Sequence, residues 1–374
     1  MTTFSRADTS ILGRWWWTID RWALAAVGLL MFFGVLLVLA ASPAVAVRIG
    51  LDSFYLARQH FAMLPVAVAL VICTSLLSPR NVRRLAAICF LGALILTAMT
   101  LISGSEIKGA TRWVSIFGFS LQPSEFLKPT FAVVAAWMFA AQHGKERIPG
   151  NAISIALFAL VVTLLMLQPD LGMTVVVAAT WFGQFFLAGL PMFWVVALAL
   201  LSILGLITAY LTFPHVTDRI DQFLDPASGD LYQVNRSLEA FMNGGLYGRG
   251  PGEGTVKEVL PDAHSDFIFA VAGEEFGLLV CLLIVGLFAF IVLRGLARLM
   301  QETNLFVLLA ATGLFVTFGL QALINMGSTL HLLPTKGMTL PFISYGGSSL
   351  LALSLGMGMA LALTRRRVGT GDLR

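Results

Sequence analysis

The sequence predicts an all-α polytopic membrane protein with about ten transmembrane helices, and three observations support this fold class. The 374 residues are 58% hydrophobic, with a mean hydropathy of +0.87. Charged residues make up only 12% of the chain, roughly half of the ~25% that is usual in soluble domains. Long apolar runs alternate with short polar segments, and basic residues concentrate in every second segment. The modest net charge of +4 argues against a nucleic-acid partner.

A helix needs about 20 mostly apolar residues to cross a bilayer. Ten candidate runs lie at 22–46, 61–78, 85–103, 125–142, 152–168, 171–189, 191–213, 267–293, 304–327 and 341–363. Only Pro169-Asp170 separates the fifth from the sixth, and only Gly189-Leu190 the sixth from the seventh, so merging either pair would give nine. The first run exceeds the ~7–15 residues of a signal-peptide core, which indicates an uncleaved helix. Residues 22–363 are therefore predicted to form one membrane domain between tails at 1–21 and 364–374.

The basic residues place both termini in the cytoplasm, because positively charged loops stay on the inner side of a membrane. With the N-terminus inside, 14 of the 24 Lys and Arg residues fall on that side: Arg6, Arg14, Arg21, Arg80, Arg83, Arg84, Lys145, Arg147, Arg294, Arg298, Arg365, Arg366, Arg367 and Arg374. Only five acids join them, namely Asp8, Asp20, Glu146, Glu302 and Asp372. The polar chemistry of the chain is therefore predicted on the outer side.

The main outer loops are predicted at 104–124, 214–266 and 328–340. The large loop 214–266, between the seventh and eighth helices, is long for a compact membrane protein, and such loops tend to be functional or disordered. Apolar residues at helical spacing predict a short helix within it, resting on the membrane surface: Val234, Leu238, Phe241 and Met242. The glycine-rich stretch 243–254 predicts a flexible hinge or lid, with phosphate contact near Arg249 as a weaker alternative.

The fourth predicted helix begins with two ionisable residues. Pro123 suits the first turn of a helix, and Glu125 lies near the positive end of its dipole. Lys128, three residues on, neighbours Glu125 on the same face. The pair is either a local feature of a helix start or the polar wall of a cavity that admits substrate, since ionisable groups facing lipid would cost about 3 kcal/mol or more each.

Two further basic residues lie in outer loops. Arg112, beside Trp113, is either an anchor at the membrane interface or a bidentate ligand of an anionic headgroup. Lys336, in the last outer loop, is either simply solvated or a partner that neutralises a phosphate.

The stretch LPDAHSDFIFAVAGEEF, 260–276, places acids at the start of an apolar run and inside it. In a helix, Glu274 would lie about 12 Å deeper than Asp266, and Glu275 would point almost opposite to it. The three acids therefore cannot face one ligand, and at least one glutamate is predicted to be structural. Asp266 itself is either an acid that complements the helix dipole or a catalytic group.

Four segments, in order, resemble the SEDS family of bacterial shape, elongation, division and sporulation proteins: RWVSIFGFSLQPSEFLKP, YQVNRSLEAFMNGGLYGRGPGEG, LPDAHSDFIFAVAGEEFG and LPTKGMTLPFISYGGSS. The LPTKG form is more similar to the division branch than to the elongation branch. The resemblance implies that the essential aspartate of the family is Asp266, with Ser265 in place of the commoner threonine. It also maps the family's Gln-Pro-Ser-Glu…Lys motif onto Gln122, Glu125 and Lys128.

The resemblance implies a peptidoglycan glycosyltransferase that polymerises lipid II into β-1,4 glycan strands on the outer face of the cytoplasmic membrane. One inversion at the sugar then needs one general base, and Asp266 is expected to fill that role, with His264 orienting it or the sugar. Arg112, Lys128, Lys336 or a divalent cation, Mg²⁺ or Mn²⁺, would balance the charge of the departing undecaprenyl pyrophosphate.

The partners implied are a class B penicillin-binding protein and other membrane proteins of the division machinery, at the septum. The rival interpretations are a lipid II flippase, since buried charges in a many-span protein are also typical of transporters, an elongation-type polymerase and a non-catalytic scaffold. Against transport, no paired broken helices in related halves are recognisable in the sequence.

Overall fold

The structure is a computed structural model that describes residues 10–103, 105–107, 110–116, 119–144, 148–189, 191–212, 216–217, 221, 232–334 and 337–366. The helices of this part of the chain are α1 Ile11–Thr18, α2 Arg21–Arg48, α3 Tyr55–Ser75, α4 Pro79–Ser103, α5 Pro123–Gln142, α6 Gly150–Leu167, α7 Leu171–Leu187, α8 Met192–Thr212, α9 Tyr232–Gly244, α10 Val256–Val259, α11 Ile268–Leu299, α12 Leu305–Thr329 and α13 Gly347–Leu363.

Each of the ten predicted runs coincides with one helix, and the all-α membrane fold is confirmed. Within the described residues, six helices are long and apolar enough to cross a membrane: α2, α3, Pro79–Ile102 of α4, α6, α11 and α12. The helices α7 and α13 are apolar but shorter, at 17 residues each. The chain is therefore an integral membrane protein, while the count of ten spans stays a prediction.

A small antiparallel sheet lies within the outer loop predicted at 104–124. Its strands are β1 Ser105–Ile107, β2 Ala110–Ile116 and β3 Phe119–Leu121, in the order β1-β2-β3. Val114 pairs with Leu121, which brings the chain directly to Pro123 at the start of α5. The sheet thus positions Arg112, on β2, and Gln122, the residue before α5.

The predicted cytoplasmic tail 1–21 contains a helix as well. Ser10 caps α1, because its hydroxyl accepts a hydrogen bond from the Gly13 N–H at 3.0 Å. The indole of Trp15 is buried and donates to the Ser75 hydroxyl at the inner end of α3, at 2.9 Å. The tail is therefore attached to the membrane domain.

The centre of the molecule is formed by α5, α12 and α13. Almost all of α13 is buried, and small residues on it allow close helix approach, as is usual in membrane bundles. A Cβ atom at Gly356 would lie 2.9 Å from Pro129 of α5, and one at Gly358 would overlap Thr74 of α3. The outer ends of these helices and the start of α11 meet at the candidate site.

Candidate functional site

Asp266 lies in a tight turn immediately before α11. Asp262 has a left-handed backbone, with φ of 53°, and its carbonyl accepts hydrogen bonds from the N–H groups of Ser265, Asp266 and Phe267 at 3.1, 3.0 and 3.3 Å. The α-helix begins at Ile268, whose side chain is fully buried. The turn therefore fixes the backbone of Asp266 at the end of a rigid helix and leaves its side chain half-buried.

The segment before α13 packs against this turn. The Asn325 side chain, on α12, donates through Nδ2 to the Asp266 carbonyl at 2.9 Å and to the Met338 carbonyl at 2.6 Å. A Cβ atom at Gly337 would lie 3.2 Å from the Asp266 carboxylate oxygen Oδ2. Glycine at 337 thus allows the loop backbone to approach the proposed base closely.

His264 is held on the same turn by the other side of this loop. Its carbonyl accepts a hydrogen bond from the Tyr345 N–H at 2.9 Å, and the two rings lie 5.1 Å apart. The Tyr345 hydroxyl donates to Gln59 Oε1, on α3, at 2.5 Å, while Ser344 donates to the Ser265 carbonyl at 2.5 Å. The structure therefore brings His264 and Asp266 together on one turn, next to groups from α3.

Glu125 and Lys128 form a buried ion pair on α5, with Lys128 Nζ 2.7 Å from Glu125 Oε2. Lys128 also donates to Gln321 Oε1 of α12 at 2.6 Å. Gln321 in turn donates to the carbonyl and hydroxyl of Thr339 at 3.0 and 3.2 Å. The ion pair is therefore connected to the loop that contacts Asp266.

The ion pair borders a small cavity between α5, α12 and α13. Most of its walls are apolar, including Leu314, Phe318 and Met357. This position agrees with the interpretation of the pair as a cavity wall. Both charges are nevertheless engaged, with each other and with Gln321, so the role in substrate binding stays a prediction.

Arg112 contacts the turn between α6 and α7. Its guanidinium donates to the carbonyls of Gln168 and Pro169 at 2.8 and 2.6 Å, and Nη1 lies 3.3 Å from Asp170 Oδ2. Asp170 also caps α7 through the Met173 N–H at 3.1 Å. A substrate phosphate would have to compete with these partners, so the geometry favours a structural role over the headgroup contact, which no observation tests directly.

The remaining predicted site residues occupy different positions. Gln122 donates its backbone N–H to the Ser348 hydroxyl at 3.0 Å and its side-chain amide to the Ser124 hydroxyl at 3.3 Å, which joins the starts of α5 and α13. Lys336 lies outside the described residues, as does most of 218–231 in the large outer loop.

The two glutamates within α11 are structural, as predicted for at least one of them. Both side chains are buried, at 0% and 1% exposure. Glu274 accepts hydrogen bonds from the N–H groups of Thr255 and Val256 at 3.1 and 3.0 Å. Glu275 accepts from the Gly252 N–H at 2.8 Å and pairs with Lys257 Nζ at 2.6 Å.

These glutamates hold the glycine-rich stretch against a break in α11. Gly277 has a non-helical backbone, with φ of 77° and ψ of −177°. The N–H of Leu278, which would bond within α11 if the helix were regular, donates to the Gly245 carbonyl at 2.9 Å. The Arg249 N–H donates to the Glu274 carbonyl at 2.9 Å. The stretch expected to be a hinge or lid is thus docked by backbone hydrogen bonds. The Arg249 guanidinium lies 3.7 Å from Glu274 Oε1, and the alternative of phosphate contact stays a prediction.

The expected short helix within the large outer loop is confirmed as α9. Its buried face, which includes Val234 and Ala240, packs on α11, and the rings of Phe241 and Phe269 lie 5.6 Å apart. Met242 is 83% exposed, so only part of the predicted apolar face contacts protein.

Sequence reasoning missed Gln59, Gln321, Asn325 and Tyr345. Gln321 and Asn325 could have been recognised, because polar side chains inside an apolar run usually bind a ligand or pair with another polar group. Gln59 and Tyr345 carried no such signal, since they lie at the ends of helices, where polar residues are ordinary.

Comparison with known proteins supports the resemblance. A family model described as "Cell cycle protein", covering FtsW, RodA and SpoVE, matches residues 20–368. A probable peptidoglycan glycosyltransferase FtsW of Caulobacter vibrioides is 48% identical over 98% of this chain and 94% of its own length. A probable peptidoglycan glycosyltransferase FtsW of Escherichia coli is 34% identical over 91% of this chain and 83% of its own.

Two solved structures share the fold. A chain from a structure described as "Structural coordination of polymerization and crosslinking by a peptidoglycan synthase complex" has a TM-score of 0.76 at 27% identity, with 92% of this chain and 97% of that chain covered. The rod shape determining protein RodA of Thermus thermophilus has a TM-score of 0.66 at 27% identity, with 93% and 97% covered.

Proposed function

This chain belongs to the FtsW, RodA and SpoVE family of cell cycle proteins, and on that basis we propose that it is a peptidoglycan glycosyltransferase. Its substrate is lipid II, which it polymerises into β-1,4 glycan strands on the outer face of the cytoplasmic membrane. Identity of 48% with an FtsW supports the division branch, and hence a location at the septum, over an elongation-type enzyme.

The observation that supports the catalytic assignment best is the position of Asp266. Its backbone is fixed from two sides, by the Asp262 turn and by Asn325, while the carboxylate stays half-buried beside Gly337. A carboxylate whose backbone is fixed is a better general base than a freely moving one, because a base must be held within hydrogen-bond reach of the proton that it accepts.

In the proposed reaction, Asp266 accepts the proton of the acceptor sugar's 4-hydroxyl. The oxygen then forms a bond to the anomeric carbon of the donor, and the bond from that carbon to undecaprenyl pyrophosphate breaks. The α-linkage inverts to β in one displacement, as in inverting glycosidases with a hydroxyl in place of water. General-base assistance of this kind contributes about 10²–10⁴-fold in rate.

The leaving pyrophosphate needs positive charge. Lys336, Lys128 and Arg112 are the candidate sources, and Lys336 directly precedes Gly337 in the sequence. Lys128 and Arg112 are engaged by Glu125 and Asp170, which makes them weaker candidates. His264 would orient the sugar from the same turn.

A divalent cation, Mg²⁺ or Mn²⁺, is a further source of positive charge. The described residues include no group of three or more His, Cys, Asp and Glu that could form a protein cage. Asp262, a carboxylate on the same turn as the base, would hold such an ion, since Mg²⁺ commonly requires only one or two carboxylates. The ion would supply charge neutralisation.

The partner we propose is a cognate class B penicillin-binding protein, which crosslinks the strands, together with other division membrane proteins. This proposal is supported by the fold shared with a chain from a peptidoglycan synthase complex.

The deciding experiment is polymerisation of lipid II in detergent by the purified chain with its partner, comparing Asp266→Asn with wild type. Asp52→Asn is the matched control, because Asp52 is an outer carboxylate in an exposed ion pair with Arg58 at 3.0 Å. We expect Asp266→Asn to lose at least about 10²-fold in rate and the control to retain activity.

Near-normal glycan chains from Asp266→Asn would contradict the base assignment. Absence of polymer from the wild type would instead favour a flippase, since detergent removes the sidedness that transport needs.

A further inference from the structure

Five arginines converge at the inner ends of α2, α11 and α13, and we call them the inner arginine cluster: Arg14, Arg294, Arg298, Arg365 and Arg366. At their centre is Asp20, which is 2% exposed. The Nε atoms of Arg294 and Arg298 lie 2.7 and 2.8 Å from the same oxygen of Asp20, Oδ2. The other oxygen, Oδ1, caps α2 by accepting from the Trp22 and Ala23 N–H groups. Both carboxylate oxygens are therefore already engaged.

Within the described residues, the other three members of the cluster form no ion pair with a carboxylate. Arg365 donates to the Thr18 hydroxyl at 3.0 Å and to the Leu76 carbonyl at 3.2 Å. The Arg366 N–H donates to the Thr18 carbonyl at 3.0 Å, and its side chain is exposed. Arg14 is exposed and close enough to Arg365 for their charges to repel. Among the ion pairs of the described residues, Asp20 alone balances the cluster, which leaves an excess of four positive charges.

Such an excess favours an anion. Each guanidinium carries five N–H donors in a planar fork that matches phosphate. Arg294 and Arg298 each contact Asp20 Oδ2 through Nε, so most of their N–H groups can bind other partners. Arg294 and Arg298 are 32% and 24% exposed, so they are accessible but partly desolvated. Charges in that setting interact more strongly than on an open surface.

The surroundings favour a lipid over a free phosphate. The Phe290 ring lies 5.6 Å from the Arg294 guanidinium, and the neighbouring Leu293 is 65% exposed on the same helix. Trp22, beside Asp20, is 69% exposed, as is typical of tryptophan at a membrane interface. Basic pockets between helices at the cytoplasmic side of a membrane are suited to anionic headgroups, and the apolar side chains alongside would contact acyl chains.

We propose that the inner arginine cluster binds the phosphodiester headgroup of an anionic glycerophospholipid from the inner leaflet. The lipid supplies the anion that Asp20 alone does not, and it would link the α1 tail, α11 and the end of α13. This site lies at the opposite end of the helices from Asp266 and is independent of the proposed function.

The test is titration of phosphatidylglycerol into the full-length chain in a non-ionic detergent, with bound lipid counted by native mass spectrometry. The variant Arg14→Gln/Arg366→Gln removes two exposed members and leaves the Asp20 contacts in place. We expect about 25-fold weaker phosphatidylglycerol binding, at about fivefold for each basic residue, and weak phosphatidylcholine binding throughout. If the double variant folds poorly, Arg366→Gln alone is measured, and it should weaken binding about fivefold.

The matched control is Arg80→Gln/Arg84→Gln, which removes the same charge from exposed positions at the inner end of α4. It should leave binding unchanged. Equal weakening in the control, unchanged binding in the cluster variants, or displacement of the lipid by excess inorganic phosphate would each overturn the proposal, the last by showing a site for free phosphate.

Discussion

Asn325 is joined to Asp266 by a hydrogen bond of 2.9 Å from its side-chain amide to the aspartate carbonyl. The same amide donates to the Met338 carbonyl at 2.6 Å. Four residues earlier, on the same face of α12, Gln321 connects Lys128 to Thr339. Two buried amides therefore link the turn of the proposed base, the loop before α13 and the ion pair of α5.

The first prediction concerns Asn325→Ala. Loss of two hydrogen bonds should reduce stability by about 1–3 kcal/mol, at 0.5–1.5 kcal/mol for each, and the turn carrying Asp266 should lose its contact with the 337–340 loop. We expect polymerisation of lipid II to slow at least about tenfold with little change in KM, because the base is displaced rather than a substrate contact removed.

Ser328→Ala is the control for that experiment. Ser328 donates to the Asn325 carbonyl within α12 at 2.9 Å, and among the described residues its hydroxyl has no hydrogen bond to the turn or to the 337–340 loop. Equal rates in the two variants would show that Asn325 has no positioning role.

The second prediction concerns the buried ion pair. Lys128→Met leaves the Glu125 carboxylate buried without its cation and should cost about 3–5 kcal/mol. The double variant Glu125→Gln/Lys128→Met should recover much of that loss, because no uncompensated charge remains. Thermal unfolding of the purified chain measures both, and the exposed pair Asp52–Arg58 provides a control whose removal should cost at most about 1 kcal/mol. A double variant as unstable as the single one would contradict this.

The spans were predictable because hydropathy depends on composition over about 20 residues, which tertiary contacts hardly alter. The break of α11 at Gly277 was not predictable, since that glycine lies in an apolar run. The N–H of Leu278, which the break frees from the helix, donates to the Gly245 carbonyl, far away in the sequence. The β1–β3 sheet was missed because β1 and β3 have only three residues each, and the seven residues of β2, ATRWVSI, do not alternate strictly between apolar and polar.

Within the site, periodicity separated Asp266 from Glu274 and Glu275, but only the family resemblance distinguished a catalytic aspartate from a helix-start acid. The roles of Asn325 and Gln321 depend on hydrogen-bond partners that lie far away in the sequence. Their partners Asp266 and Lys128 lie 59 and 193 residues away in sequence. Contacts of that range do not follow from local pattern.

The third prediction tests the docked glycine-rich stretch. Gly277→Ala places a Cβ where the φ of 77° disfavours it and 2.5 Å from the Leu246 carbonyl oxygen, so the stretch must separate from α11. We expect lower thermal stability and faster proteolysis within 245–255. Gly286→Ala, in the same helix with no atom within 4 Å of the added Cβ, should be neutral or stabilising by up to about 1 kcal/mol. Equal behaviour of the two variants would argue against docking.

The last prediction separates the two interpretations of Arg112. If its guanidinium only holds the α6–α7 turn, Arg112→Gln removes all three of its contacts, while Asp170→Asn removes only the ion pair. Both should then lower thermal stability, Arg112→Gln by more, and both should leave the KM for lipid II within about threefold of wild type.

If instead Arg112 binds the pyrophosphate, only Arg112→Gln should raise KM, because Asp170→Asn leaves the guanidinium present and less neutralised. The geometry supports the first outcome, since three separate contacts hold the guanidinium on the turn. Steady-state kinetics and thermal unfolding of both variants decide between the two interpretations. A rise in KM for Arg112→Gln alone would support the contact with the headgroup.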